Sequence, residues 1–112
     1  MLIKQDEEFT LLEGLREGNG LVRMYTTPLE NGVTPFTFVA RLEMEPKAKI
    51  GFHVHEDDEE VYAIVSGSGI YYFDGGSCAA TPGDVFTTRK GMSHALENIG
   101  DTPLVFFAAV AK

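Results

Sequence analysis

Cysteine is almost absent from this chain. The one present, Cys78, leaves no partner for an internal disulfide and gives no support for a secreted, disulfide-stapled domain. It sits in the run GGSCAATPG, where a turn-adjacent filler is expected; a nucleophilic role would need an activating base beside it. Basic residues are scarce too, 9 against 17 acidic ones, for a net charge of −8. A surface of that sign repels nucleic-acid phosphates and anionic membranes, so neither is an expected partner. Long hydrophobic runs are missing as well. No window approaches the roughly 18 apolar residues of a membrane span. The opening residues, MLIKQDEEFTLLEG, carry acids where a secretion signal has a basic start and an apolar stretch. A soluble, cytoplasmic protein is expected. Repeats, low-complexity tracts and linkers are also lacking.

What is there suits a small all-β fold. The 112 residues give room for one domain, taken as 1–112, and that length buries a core without staples. A hydrophobic fraction of 44% argues against disorder. The 12 glycines and 5 prolines are scattered, which implies many tight turns and favours β structure. Short β-prone runs follow one another at 21–26, 36–43, 50–55, 60–65, 70–73, 84–88, 94–98 and 104–110, separated by turn signals. Asn31-Gly32 marks a loop. Ser66-Gly67-Ser68-Gly69 is read as turning the chain so that 70–73 pairs back, and Asp74-Gly75-Gly76 as a hairpin turn. The first dozen residues have room for a turn of helix. Strands of this length and spacing indicate a sandwich or barrel.

Histidine is rare, with three in the chain, and its placement is the chemical signal. His53 and His55 are two apart in a β-prone run, so both imidazoles leave the same strand face. Glu60 opens the next run, and an acidic loop, residues 56–59, would let the chain reverse and bring it back beside them. His94 begins a later strand. Three imidazoles and a carboxylate form a borderline-hard donor set that suits Mn, Fe, Co, Ni or Zn. The acidic run by itself reads as a solvated loop, because it lacks the ligand spacing of a calcium loop. Glu59 should point away from Glu60's face and is the fallback ligand.

These residues resemble the two sequence motifs of the cupin superfamily. The first is a histidine pair, a glutamate after three or four intervening residues, and a glycine seven beyond it; GFHVHEDDEEVYAIVSG supplies His53, His55, Glu60 and Gly67. The second is a glycine, a Pro-x-Gly turn, a histidine, and an asparagine four beyond; PGDVFTTRKGMSHALEN supplies Gly83, Gly91, His94 and Asn98. Arg89 replaces the turn proline, and Lys47 stands where the first motif opens with glycine. Neither departure touches a ligand position.

The resemblance implies a double-stranded β-helix, the jelly-roll barrel of cupins, with its conserved core at about 36–111. It implies one divalent transition metal (Mn, Fe, Ni or Zn) on His53, His55, Glu60 and His94, and a pocket open at one end. Asn98 is then a framework residue. By strand parity Tyr62, Ile64 and Leu96 share the ligands' face, so Tyr62 and Leu96, with Phe38, are candidate walls for a substrate. Arg41 either faces inward, where it could clamp a carboxylate, or is ordinary surface. The expected ligand is a small molecule, possibly anionic. The function expected is a metal-dependent enzyme acting on a small organic acid, oxygenated aromatic or sugar derivative (a dioxygenase, decarboxylase or isomerase), and the alternative is a non-catalytic small-molecule-binding or metal-stabilised module. A homodimer is expected, with the apolar run Leu21–Thr26 as a candidate edge strand to pair across a two-fold axis.

Overall fold

Alternation of apolar and polar residues decides which face of each strand turns inward. Along β3 (Phe36–Met44), Ala40, Leu42 and Met44 are buried while Arg41 and Glu43 between them are not. Along β5 (Glu59–Ser66) the buried set is Glu60, Tyr62 and Ile64. Leu104, Phe106, Ala108 and Val110 are its counterpart on β10 (Leu104–Ala111). The computed structural model describes residues 8–30 and 32–112. Among these the remaining strands are β1 (Thr10–Glu13), β2 (Leu21–Thr26), β4 (Lys49–Val54), β6 (Gly69–Phe73), β7 (Gly76–Ala80), β8 (Val85–Thr88) and β9 (Ser93–Asn98).

The strands form two antiparallel sheets, a six-stranded one in the order β1-β2-β3-β10-β5-β8 and a four-stranded one in the order β4-β9-β6-β7. Their inner faces close on one core, in which Val22, Met44, Ile50, Leu96, Leu104 and Phe106 are almost fully excluded from solvent. Asn98 is buried at the end of this core. Its side-chain amide donates to the carbonyls of Met44 and Thr102, and its Oδ1 accepts from the Gly100 amide. That is a framework role.

The structure bears on four local expectations. Residues 70–73 do not pair back on β5: β6 lies in the other sheet, between β9 and β7, so the Ser66–Gly69 turn carries the chain across the barrel. Gly67 makes that crossing, with φ +97° and a backbone so close to Pro103 that a Cβ would come within 2.7 Å of its carbonyl oxygen. For the helical turn expected in the first dozen residues, residues 1–7 lie outside the described residues, as does Asn31; residues 10–12 belong to β1, and a single 3-10 turn comes later, at Leu15–Glu17. Cys78 lies within strand β7, exposed on an edge of the sheet. Finally, Leu21–Thr26 is no edge: it pairs with β1 on one side and β3 on the other.

The two departures from the motifs are accommodated by backbone geometry. Arg89 is the first residue of a turn closed by Met92 N–H donating to the Arg89 carbonyl. The position that needs a positive φ belongs to Gly91, at +84°, so the turn forms without the proline. Lys47 occupies the left-handed region itself, at φ +69°, a conformation glycine adopts at less cost.

Candidate metal centre

A β-bulge aims the histidine pair. Ile50 and His53 both turn inward although they are three residues apart, an odd spacing that a regular strand forbids. The register of β4 against β9 shifts between them, and that shift reverses the parity of the rest of the strand. His53 then stands opposite His94 in the ladder. Glu60 reaches the same point from β5, across the barrel in the other sheet.

Four donor atoms meet there. His94 Nε2 is 3.0 Å from His55 Nε2 and 3.1 Å from His53 Nε2, while Glu60 Oε1 is 3.0 Å from His55 Nε2 and 3.1 Å from His94 Nε2. Each imidazole has its other nitrogen engaged. His53 Nδ1 donates to the Gly51 carbonyl at 2.7 Å and His55 Nδ1 to Asp58 Oδ1 at 2.7 Å, while His94 Nδ1 is hydrogen-bonded to two hydroxyls, Thr88 Oγ1 at 2.9 Å and Tyr71 OH at 3.1 Å. The acceptor-only partners of His53 and His55 put their hydrogens on Nδ1 and leave both Nε2 lone pairs bare, and the two hydroxyls at His94 can accept from Nδ1 in the same way. Bare lone pairs at about 3 Å repel one another, and a cation shared among them would relieve that repulsion. The spacing also fits: metal–ligand bonds of about 2.1 Å set at right angles put neighbouring donors about 3.0 Å apart. The four residues could therefore hold a metal ion.

The cluster opens into a cavity of about 360 Å³. Phe38, Tyr62, Leu42, Met24 and Val110 give it apolar walls, and Arg16 and Asp58 add charge beside the ligand cluster. The His53 pKa is lowered from its ordinary value, chiefly because burial penalises the imidazolium. The bond to the Gly51 carbonyl opposes this, and the nearby positive charge of His94, Arg16 and His55 reinforces it. Burial raises the Tyr62 phenol well above its ordinary value, with the Glu60 carboxylate adding to the effect.

Of the wall residues expected from the sequence, Phe38 and Tyr62 line the cavity. Leu96 is fully buried in the core and does not reach it. Arg41 does not either. It lies on the outer face of the six-stranded sheet, its guanidinium 4.1 Å above the Tyr25 ring and its Nε 3.3 Å from Glu43. Glu59 is exposed, as its parity requires. Sequence reasoning missed Arg16 and Asp58. Asp58 is three residues beyond His55, and that spacing was the available signal; Arg16 lies in a segment with no motif.

An antiparallel double-stranded β-helix carrying three histidines and one glutamate on its inner wall defines a class of small barrel proteins. The chain belongs to the cupin family, whose cupin-domain model matches residues 40–110. It is similar to the Oxalate-binding protein of Thermotoga maritima, 33% identical over 100 residues, which cover 88% of this chain and 83% of the relative. A solved structure from the same species, described as a predicted oxalate decarboxylase, superposes with a TM-score of 0.92 at 30% identity, covering 99% of this chain and 98% of that one. KdgF from Halomonas sp. shares the fold, with a TM-score of 0.78 at 15% identity over 100% of this chain and 94% of its own.

Proposed function

We propose that this protein binds small carboxylates through a metal ion, oxalate being the first candidate. His53, His55, Glu60 and His94 hold one divalent transition metal, and their donor set accepts Mn, Fe, Ni or Zn. The observation that carries this reading is the orientation of the three rings, each Nδ1 spent on a partner and each Nε2 turned to one point. Three neutral imidazoles and a carboxylate leave a divalent ion with a net charge of about +1. In an apolar barrel that charge attracts an anion more strongly than it would in bulk water. When bound, the metal supplies a Lewis acid for a ligand oxygen. Phe38, Met24 and Leu42 exclude water around it, and Tyr62 keeps its phenolic proton. The Oxalate-binding protein of T. maritima supports the ligand class.

Binding is favoured over turnover because, among the described residues, the cavity holds no uncommitted acid or base. The histidines and Glu60 belong to the donor set, and Asp58 is engaged by His55. The remaining candidate is the Tyr62 phenol, and its raised pKa makes it a poor proton donor. The enzyme reading draws on the relative described as a predicted oxalate decarboxylase and assigns proton delivery to Tyr62. Calorimetric titration of oxalate into metal-loaded and metal-stripped protein tests the proposal. Binding to the loaded form alone is expected, and equal affinity for both overturns it. Formate accumulating in the loaded sample would establish turnover.

The protein is further read as a homodimer, with the contact moved off β2. The outer face of the six-stranded sheet exposes Val61, Val65, Val85 and Phe107 on the adjoining strands β10, β5 and β8. An apolar patch of that kind suits a self-complementary two-fold contact.

A further inference from the structure

Arg16 is the one arginine or lysine among the described residues that line the cavity. It lines that cavity together with His53, His55, Glu60 and Tyr62. Among the described residues no carboxylate is paired with it. Asp58, the other charged lining residue outside the donor set, is taken by His55.

The backbone holds Arg16 there at a cost. Arg16 and Glu17 adopt φ +55° and +62°, the left-handed region that residues with a Cβ seldom occupy. The surrounding chain over-determines this conformation. Asn19 and Lys49 exchange both backbone hydrogen bonds, at 2.9 and 2.7 Å, and Gly14 N–H donates to the Gly20 carbonyl at 3.1 Å. The strap then lies so flat on β4 that a Cβ on Gly51 would meet the Arg16 carbonyl oxygen at 2.0 Å, and one on Gly18 the Lys49 carbonyl oxygen at 1.8 Å. Gly51 is also the residue whose carbonyl orients His53. The strap that carries the arginine and the strand that carries the ligand are thus one rigid unit.

We propose that Arg16 is the specificity-determining residue of the cavity, binding the carboxylate oxygens that the metal does not, so that the site selects small dicarboxylates over monocarboxylates. This rests on the metal-dependent binding proposed above. A guanidinium matches a carboxylate fork in shape as well as charge. A guanidinium on one part of the cavity wall and a net positive charge at the ligand cluster suit an anion charged at both ends. A monocarboxylate satisfies the metal and leaves Arg16 without a partner.

The test is calorimetric titration of oxalate, malonate, acetate and glycolate into the metal-loaded protein and its Arg16→Gln, Arg16→Lys and Arg16→Gly variants. Arg16→Gly removes the charge while suiting the left-handed backbone, so it covers the case in which Arg16→Gln fails to fold. Metal content should be unchanged throughout. The neutral variants should bind the tightest dicarboxylate about tenfold or more weakly and the monocarboxylates nearly as before, with Arg16→Lys in between. Dicarboxylate affinity unchanged in Arg16→Gly, or an equal loss for mono- and dicarboxylates, overturns the inference and leaves metal-dependent binding standing. A wild-type protein that binds none of the four overturns both.

Discussion

The Nε2 atoms of His53 and His94 lie 3.1 Å apart, and the Gly51 carbonyl holds the His53 proton on Nδ1, away from that contact. A pair so placed suits a cation bound between its members. For His53 the folded-state pKa is lowered, mainly by burial. The unfolded chain therefore binds its proton first as pH falls, and the stability that His53 contributes is complete above the unfolded value near 6.5 and lost below it. Stripped protein should unfold more readily at pH 5 than at pH 8 by this term, and His53→Gln should flatten that slope. A slope untouched by the substitution would contradict the account.

Metal should stabilise the fold with the same pH sense. A ligand specific for the folded state, at about a hundred times its dissociation constant, adds about 2.7 kcal/mol, which for a domain of this size is a rise of about 10 °C in Tm. Because imidazoles bind metal when neutral, the gain should shrink below about pH 6. Thermal melts at pH 5 and pH 8, with and without metal, measure it. Equal gains at both pH values would exclude histidine ligation.

Asp58 should matter to the metal through His55 alone. Its carboxylate accepts from His55 Nδ1 at 2.7 Å and fixes the tautomer that presents Nε2. Substituting such a partner lowers metal affinity about 10- to 100-fold, so Asp58→Ala should show that loss by competition with a chelator, with its circular dichroism unchanged. Full affinity would show that His55 needs no orienting partner.

Lys47→Gly should be neutral to mildly stabilising. The left-handed conformation at φ +69° costs a residue with a Cβ about 1–2 kcal/mol, and glycine's extra freedom in the unfolded chain returns about 0.4–1 kcal/mol of that. Denaturant unfolding should give a net gain of about 0.5 kcal/mol. A loss above about 1 kcal/mol would mean that the lysine side chain itself stabilises the turn.

Light scattering tests the dimer. A particle of twice the chain's 12.3 kDa is expected at micromolar concentration, reverting toward one chain in a Phe107→Asp, Val61→Asp variant. A single-chain mass for the unsubstituted protein rejects it.

The four clustered residues and most strands were legible because each leaves a local mark: parity for His53 and His55, motif spacing for Glu60 and His94, alternation for β3 and β5. β7 was not, since Gly76, Ser77 and Cys78 lack β preference. They become strand because the two-residue Asp74-Gly75 turn folds them onto β6. β1 likewise exists by pairing with β2. The destination of residues 70–73 was misread because a turn signal does not say whether the chain stays in its sheet. Arg41 looked like a site residue because it is a charge in an apolar strand, and parity with Glu43 puts it outside. Arg16 reaches the cavity through contacts between Gly18, Gly51 and the strap's own backbone, which no spacing in the sequence encodes.

The most direct test is elemental analysis of protein purified without an affinity tag, alongside a His53→Ala, His94→Ala variant shown to be folded by circular dichroism. About one transition-metal ion per chain is predicted for the unsubstituted protein, and close to none for the variant. Full metal content in the folded variant would contradict the site.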